Sequence, residues 1–269
     1  MKRYTMMVLM AALLLLAFGC ASESTPAAPT ATPQTPAEQP VATERADGVS
    51  VLMYHMIADI PGNDAVLRED LFREQMQYLK DNGYHPISMA QLEAYIDHDE
   101  PLPSKPVCIT FDDGYPDTYT IVYPILKEYG FPWTLFMIGG MTDQPNRPTL
   151  AQLKEMRDNG VTIANHTWMH AELPYESEER QREEVGRTQA WLKDALGIDN
   201  RYFAYPVGLY DDTVKEVLRD NGITVAVTMN PGRVRPGDDP LEVKRIWIGD
   251  RVDLEHFADR LTHDHYRSL

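Results

Sequence analysis

The sequence predicts a single α/β domain built as a distorted (β/α) barrel with about seven parallel strands. Short apolar runs alternate with amphipathic stretches from Gly48 onward, and this repetition is typical of a parallel sheet covered by helices. No glycine-rich dinucleotide fingerprint follows the first strand, which favours a barrel over a doubly wound sheet. Polar residues come directly after several of the strands, where the chemistry of a barrel takes place.

The composition is that of one globular domain. The chain has 269 residues, of which 43% are hydrophobic and 25% are charged, which is enough for one core. The formal net charge is −16, whereas nucleic-acid binding needs a basic surface. Nucleic acid is therefore excluded as an expected partner, and the sequence offers no basis for inferring a protein partner.

The first residues predict an export signal. Two basic residues precede an apolar run from Met6 to Phe18, and Gly19 and Cys20 follow it, which is typical of a signal peptide over residues 1–19. Cys20 after Gly19 resembles a bacterial lipobox, although Ala17 stands where leucine is usual. We therefore expect Cys20 to be lipidated and the protein to be extracytoplasmic, anchored to the bacterial cell membrane. Ordinary secretion with an incidental cysteine is the alternative.

Residues 20–47 predict a disordered tether between this anchor and the domain at 48–269. The segment is rich in Ala, Ser, Thr and Pro and has almost nothing to bury, so it cannot offset the entropy of ordering. Apart from Cys20 the only cysteine is Cys108, which excludes an intramolecular disulfide in the domain.

Seven short apolar runs predict the strands. They are rich in β-branched or aromatic residues and are bounded by polar residues, glycine or proline, as strands usually are. The predicted strands are Val51–Tyr54, one beginning at Val107, Trp133–Ile138, Val161–Ala164, Tyr202–Ala204, Ile223–Thr228 and Val243–Ile248.

Amphipathic stretches between the runs predict the helices. Two of them open with capping-box spacing, at Ser88 and at Thr149. Asp-Asn-Gly occurs at 81–83, 158–160 and 220–222, and each copy follows a helical pattern, which indicates a helix C-cap more than a hairpin turn. The predicted helices are Arg68–Asn82, Ser88–Ile96, Thr118–Tyr129, Thr149–Asn159, Glu178–Leu196, Asp212–Asn221 and Leu254–Leu261.

The strand at Val107 delivers two adjacent carboxylates, Asp112 and Asp113, to its carboxyl end. Neighbouring carboxylates repel each other, so a metal or a shared proton is expected to compensate them. His166 and His170 follow a later strand, and one aspartate with two histidines forms a transition-metal ligand set with open positions. Taken alone, each motif could also be a turn, a helix cap or a pair of surface residues.

These motifs resemble those of the polysaccharide deacetylase family, the NodB-homology domains of carbohydrate esterase family 4. The first two are Thr110–Gly114 and Asn165–His170. A third, Phe203–Gly208, resembles the corresponding family motif except that Ala204 replaces its usual arginine. Leu52–Ile57 resembles the corresponding stretch of the branch that deacetylates poly-N-acetylglucosamine. In that branch the order of the motifs along the chain is permuted.

The resemblance implies a role for each matching residue. Asp112 would be the catalytic base, and Asp113, His166 and His170 would hold a divalent metal. The backbone N–H of Tyr205 would stabilise the oxyanion. Zinc is the expected metal, although iron, cobalt, manganese and nickel also suit two histidines and one carboxylate.

Three further roles follow from context. The family usually supplies the general acid as a histidine from a late motif, and Leu261–Asp264 superficially fits that motif, with His263 as the acid. His55 has the better context, because it lies at the end of an apolar strand. We therefore expect His55 to be the general acid and to be protonated at working pH. Arg245 is a candidate to replace the missing arginine and orient Asp112. The aromatic residues that could line a sugar groove, or could simply be packing, are Trp168, Tyr210 and Trp247.

The expected function is metal-dependent hydrolysis of N-acetyl groups from an extracellular acetylated amino-sugar polymer, poly-N-acetylglucosamine in particular. The alternatives are a peptidoglycan or chitin-oligosaccharide deacetylase and an acetyl-xylan esterase. A catalytically silent glycan-binding lipoprotein is a rival from another class. The presence of Asp112, Asp113, His166 and His170 argues against it, because a protein that only binds glycans has no need of an open metal site. A structural zinc domain would need four protein ligands.

Overall fold

The structure is a computed structural model that describes residues 47–264. The predicted signal peptide at 1–19, the predicted lipidation site Cys20 and residues 20–46 of the predicted tether lie outside the described residues, as do residues 265–269. Within the described range, no helix combines the length and the apolar character needed to cross a membrane.

A parallel sheet of eight strands forms the centre of the domain. Its strands are β1 (Ser50–Tyr54), β4 (His85–Ile87), β5 (Pro106–Asp113), β6 (Thr134–Met137), β7 (Thr162–Asn165), β8 (Tyr202–Ala204), β9 (Val225–Val227) and β10 (Ile246–Trp247). They are ordered β10-β1-β5-β6-β7-β8-β9, and β4 also pairs with β5. A separate two-stranded sheet contains β2 (Met56–Ile57) and β3 (Val66–Leu67). The predicted distorted barrel with seven strands along its path is confirmed.

The two edges of the sheet meet at residues 243–247, which we call the closing segment. Val243 forms a parallel bridge with Val227 of β9, while Ile246 pairs with Leu52 of β1. One short segment therefore joins the first and last strands of the curled sheet. Lys244 and Arg245 lie between its two points of attachment, and Arg245 is the buried one of the pair.

Seven α-helices pack against the sheet in the described part of the chain. They are α1 (Glu69–Asp81), α2 (Met89–His98), α3 (Tyr123–Tyr129), α4 (Leu150–Asp158), α5 (Glu178–Leu196), α6 (Asp212–Asp220) and α7 (Leu254–Thr262). The capping boxes at Ser88 and Thr149 are present. All three Asp-Asn-Gly copies end a helix, with asparagine at the C-cap and glycine at positive φ, as predicted.

Three elements differ from the prediction. Strand β4 was not predicted, because it has only three residues and includes Pro86, too few to show an alternating pattern. The predicted strand Val243–Ile248 pairs as a strand only at Ile246–Trp247. The predicted helix Thr118–Tyr129 begins with a π-helical turn at Thr118–Val122, since Pro124 has no N–H with which to continue an α-helical ladder.

The core lies on both faces of the sheet, because side chains alternate along each strand. On β5, Cys108 packs with the cluster that includes Val51 and Phe136, while Ile109 packs with the helices on the other face. Cys108 is a buried free thiol, and burial raises its pKa to about 12. It is therefore a packing residue and not a nucleophile.

Candidate active site

The candidate site lies at the carboxyl ends of the parallel strands. His55 follows β1, Asp112 and Asp113 end β5, and His166 follows β7. Arg245 enters from the closing segment, beside β1. Because all these strands run in the same direction, their carboxyl ends meet at one edge, which brings together residues that are distant in the sequence.

Asp112 is buried and is paired with Arg245. It shares the inward face of β5 with Cys108 and Thr110, and only 2% of it is exposed. The two guanidinium nitrogens of Arg245 donate to the two carboxylate oxygens at 2.8 and 2.7 Å, and Nε of Arg245 donates to the carbonyl of Thr228 at 2.8 Å. Burial raises the pKa of Asp112, but Arg245 outweighs it and holds the pKa below its ordinary value. Asp112 therefore stays ionised.

Asp113 belongs to a second cluster, with His166 and His170. Nε2 of His166 lies 3.3 Å and Nε2 of His170 lies 3.5 Å from Oδ1 of Asp113, yet that buried oxygen accepts no hydrogen bond. Burial raises the pKa of Asp113, and the nearby histidines (His166 first, then His55 and His170) together lower it further than burial raises it. Three ligand atoms thus converge without bonding to each other.

These separations fit a shared cation. Zinc bonds of about 2.0–2.1 Å in tetrahedral geometry imply ligand-to-ligand separations of roughly 3.3–3.4 Å. Nδ1 of His166 lies 2.8 Å from the carbonyl of Ala204, which can hold a proton at Nδ1, so that in the neutral ring the Nε2 lone pair is available on the side of Asp113. The three residues present therefore suit a divalent metal.

The backbone around this cluster is strained. Asp113, Thr167 and His170 have φ values of 71°, 62° and 60°. This backbone region is unfavourable for any residue other than glycine, and residues held in it are concentrated at functional sites. Gly114 has φ 73°, and a Cβ there would lie 2.1 Å from Sδ of Met137. The glycine of the motif is therefore needed for both reasons.

Buried polar groups behind the cluster hold the loop from His166 to His170, which we call the histidine loop. Oδ1 of Asn165 accepts the N–H of Thr167 at 2.8 Å, and Oε2 of Glu184 accepts the N–H of Met169 at 2.7 Å. Glu184 is fully buried on α5. Sequence reasoning missed it, because nothing distinguishes it from the other glutamates of that helix.

His55 lies beside the paired carboxylate. Its Nε2 is 3.9 Å from Oδ2 of Asp112, and its ring packs against Trp247 with centroids 4.8 Å apart. Burial lowers the pKa of His55 more than Asp112 and Asp113 raise it. The expectation that His55 is protonated at working pH is therefore opposed by its burial, and the resting imidazole at neutral pH is largely neutral.

The other candidate acid, His263, lies elsewhere. It follows α7 and is largely exposed, with Nδ1 3.1 Å from Oδ1 of Asp259. The carbonyl of the nearby Leu261 accepts a hydrogen bond from Ser50, at the start of β1, whereas His55 follows the end of that strand. His263 is therefore at the opposite end of the barrel from the site.

The predicted oxyanion role of Tyr205 is not supported by its geometry. Its backbone N–H donates to the carbonyl of Val227 at 3.2 Å, because Tyr205 continues the pairing of β8 with β9. Its hydroxyl donates to the carbonyl of Leu241 at 3.0 Å. Tyr205 is thus occupied by the sheet at both ends.

The three predicted groove aromatics are all partly exposed but have different neighbours. Trp168, in the histidine loop, lies under the guanidinium of Arg187 at 4.4 Å. Tyr210 stacks on Tyr205 with centroids 4.9 Å apart. Trp247 packs directly against His55, the candidate general acid.

The site therefore combines a parallel barrel, an arginine-paired carboxylate and a carboxylate–dihistidine cluster, an arrangement that suits metal-assisted hydrolysis. A family model described as polysaccharide deacetylase matches residues 99–226. A Bacillus subtilis protein, YxkH, assigned by name to the polysaccharide deacetylases, is 33% identical over 192 residues, which cover 71% of this chain and 68% of that protein. The chain belongs to the polysaccharide deacetylase family.

Two further comparisons extend this result. The Streptococcus pyogenes deacetylase PplD, solved in complex with acetate, superposes with a TM-score of 0.76 and 30% identity, covering 80% of this chain and 99% of that one. The poly-β-1,6-N-acetyl-D-glucosamine N-deacetylase of Escherichia coli K12 is 25% identical over 260 residues. The match covers 80% of this chain but spans only 38% of the length of that relative.

Proposed function

We propose that this protein is a metal-dependent N-deacetylase of an extracellular acetylated amino-sugar polymer, with poly-N-acetylglucosamine as the first candidate. The observation that carries the proposal is that the two neighbouring carboxylates have different partners. Arg245 compensates Asp112 at 2.7 Å, while Oδ1 of Asp113 is left facing two histidine nitrogens without a hydrogen bond. The name of the Escherichia coli relative supports the choice of polymer.

Asp113, His166 and His170 would hold the metal, and zinc is the expected ion, with iron, cobalt, manganese or nickel as alternatives for the same donors. When bound, the cation supplies positive charge that polarises the acetyl carbonyl and makes water easier to deprotonate.

Asp112 and His55 would move the protons. An oxygen of the Asp112 carboxylate takes a proton from the attacking water, whose oxygen bonds to the acetyl carbon. The carbon–nitrogen bond then breaks, and Nε2 of His55 gives a proton to the departing sugar amine. Nε2 of His55 lies 3.9 Å from Oδ2 of Asp112, which is beyond direct hydrogen-bond reach, so one bridging water would carry the proton held by Asp112 to His55. Arg245 keeps Asp112 ionised and oriented between turnovers.

Acetate release from a panel of glycans tests the proposal. Zinc-loaded protein would be incubated with poly-β-1,6-N-acetylglucosamine, chitin oligosaccharides, peptidoglycan and acetylated xylan, with Asp112→Asn as the control. We expect acetate and new amino groups in equal amounts from an amino-sugar polymer. Acetate from xylan alone would make the protein an esterase, and binding without acetate release would make it a silent glycan-binding protein.

We also propose that Cys20 anchors the protein outside the cytoplasm, as the sequence at 6–20 suggests. Cys20→Ser should move the protein from the membrane fraction to the soluble fraction without changing its specific activity. Membrane association that persists in this variant would contradict the lipid anchor.

A further inference from the structure

A cavity lies beside the candidate metal site. It has a volume of about 530 Å³ and is lined by residues from loops that follow β1, β5 and β6, among them Tyr115, Asp117 and Arg147. Nη1 of Arg147 donates to the backbone carbonyl of Asp113 at 3.1 Å, so the cavity shares a wall with a candidate metal ligand.

Asp117 is the unusual residue of this cavity. It is 8% exposed, and its Oδ2 accepts the N–H of Ile57 at 2.7 Å. Among the described residues, no lysine, arginine or histidine forms a salt bridge with it, and burial raises its pKa to about 6. A buried carboxylate without a cation is costly, and asparagine could accept the same N–H. The hydrogen bond to Ile57 therefore does not by itself require the charge.

The other walls suit a sugar ring. Met56, Ala58, Pro116 and Pro145 supply apolar surface for the C–H face of a ring, and Asn146 and Arg147 carry donors for its oxygens. Asp117 can accept from hydroxyl groups, and a hydrogen bond to an ionised acceptor is among the stronger ones.

We propose that this cavity binds the sugar unit next to the one whose N-acetyl group is hydrolysed, with Asp117 accepting hydrogen bonds from its hydroxyl groups. This rests on the proposed function, because the neighbouring unit belongs to the same polymer. The cavity would act through binding, and Asp117 would touch the substrate without taking part in the chemistry.

The test compares substrates of different length. The zinc-loaded wild type, Asp117→Asn and Thr120→Trp would be assayed on one to four linked N-acetylglucosamine units. Thr120 is exposed at the edge of the cavity, so an indole there would fill it. Thr213→Trp, at an exposed position on α6, is the matched control.

We expect kcat/KM of the wild type and of Thr213→Trp to rise with chain length. Asp117→Asn should lower kcat/KM about 10-fold for the longer substrates, the usual effect of losing a hydrogen bond to a charged group, and Thr120→Trp should abolish the dependence on length. Neither variant should change the rate on the single unit or the zinc content.

Stability supplies an independent readout for Asp117. Its pKa in the folded protein lies above the unfolded value, so ionisation destabilises the fold as the pH rises from about 4 toward 6. Asp117→Asn should therefore raise the urea midpoint at pH 7, and the two midpoints should converge below a pH of about 4. A gain in stability with a loss of oligosaccharide turnover would identify a charge kept for binding.

Two outcomes would overturn the proposal: a wild-type rate that is independent of chain length, or variants that slow the single unit as much as the tetramer. If the wild type releases no acetate from any substrate, the proposed function fails. Calorimetric titration with the four-unit oligosaccharide then tests sugar binding by the cavity independently of catalysis. Thr120→Trp must weaken that binding, and Thr213→Trp must not.

Discussion

The site has two halves, one around Asp112 and one around Asp113, and the negative charge of each carboxylate is compensated in a different way. Asp112 is neutralised from within the protein by Arg245, which is itself 1% exposed. Asp113 has no such partner among the described residues, and its neighbours are two imidazoles whose free nitrogens face the same carboxylate oxygen. The backbone differs as well, since positive φ values occur at Asp113 and along the histidine loop. One half is compensated within the fold, whereas the other has a donor set that suits a cation.

The largest effect expected from this contrast is the loss of the metal. His166→Ala and His170→Ala should each remove the bound cation and lower acetate release by about 10⁴-fold or more, because several kcal/mol of transition-state stabilisation are lost. Metal analysis and acetate assays on the same sample measure both. His98→Ala, at an exposed position that ends α2, is the control, and full metal content in both site variants would refute the ligand assignment.

The paired half should respond in the opposite way. Asp112→Asn should retain the metal and lose activity by roughly 10²–10⁴-fold, the usual contribution of a general base. Arg245→Met should lower the free energy of unfolding of the metal-free protein by about 3–5 kcal/mol, because it leaves a buried carboxylate unpaired. Urea titrations would measure this.

The double variant Asp112→Asn/Arg245→Met sharpens the same comparison. It should recover most of the stability lost in Arg245→Met, since no buried charge then remains unpaired. If Asp112→Asn loses the metal while Asp113→Asn retains it, the roles of the two carboxylates are reversed.

His55 should affect proton transfer and not metal binding. His55→Ala should lower kcat by roughly 100-fold with unchanged metal content. Because the acid must be protonated and burial lowers its pKa, wild-type activity should fall as the pH rises through a value below the ordinary histidine pKa, and this alkaline limb should flatten in the variant. A larger loss in His263→Ala than in His55→Ala would contradict the assignment.

The smallest effect is expected behind the histidine loop. Glu184→Ala removes the acceptor for the N–H of Met169 and should weaken metal affinity about 10-fold, the lower end of what second-layer partners contribute. Glu184→Gln retains an acceptor oxygen and should restore most of the affinity. If both variants bind metal like the wild type, Glu184 serves only the packing of α5.

The parts of the molecule that could be predicted are those recorded locally in the sequence. Capping boxes, Asp-Asn-Gly caps and the motifs at Asp112 and His166 are short patterns with a direct structural meaning. The properties that were missed depend on register and burial. The N–H of Tyr205 is occupied because β8 and β9 are aligned at that residue, and the pKa of His55 falls because the fold buries its ring.

Arg245 shows the limit most clearly. A link to Asp112 could be suggested as a replacement for a missing arginine, but the two residues are 133 positions apart. Their contact depends on where the closing segment attaches to β1 and β9. No local pattern records such an attachment, so its geometry appears only in the folded structure.

The closing segment also has a consequence for the order in which the protein folds. Until residues 243–247 attach, β5 carries a carboxylate toward the barrel interior with no positive charge to meet it, and burying it in that state would be strongly unfavourable. The contact between Asp112 and Arg245 spans a long stretch of chain, and such contacts form slowly because a large loop must close first. A chain interrupted before Arg245 lacks only β10 among the strands of the sheet. It contains both histidines of the candidate metal cluster, yet it cannot bury Asp112 as an ion pair. Burial of the Asp112 carboxylate is therefore expected to await the attachment of the closing segment.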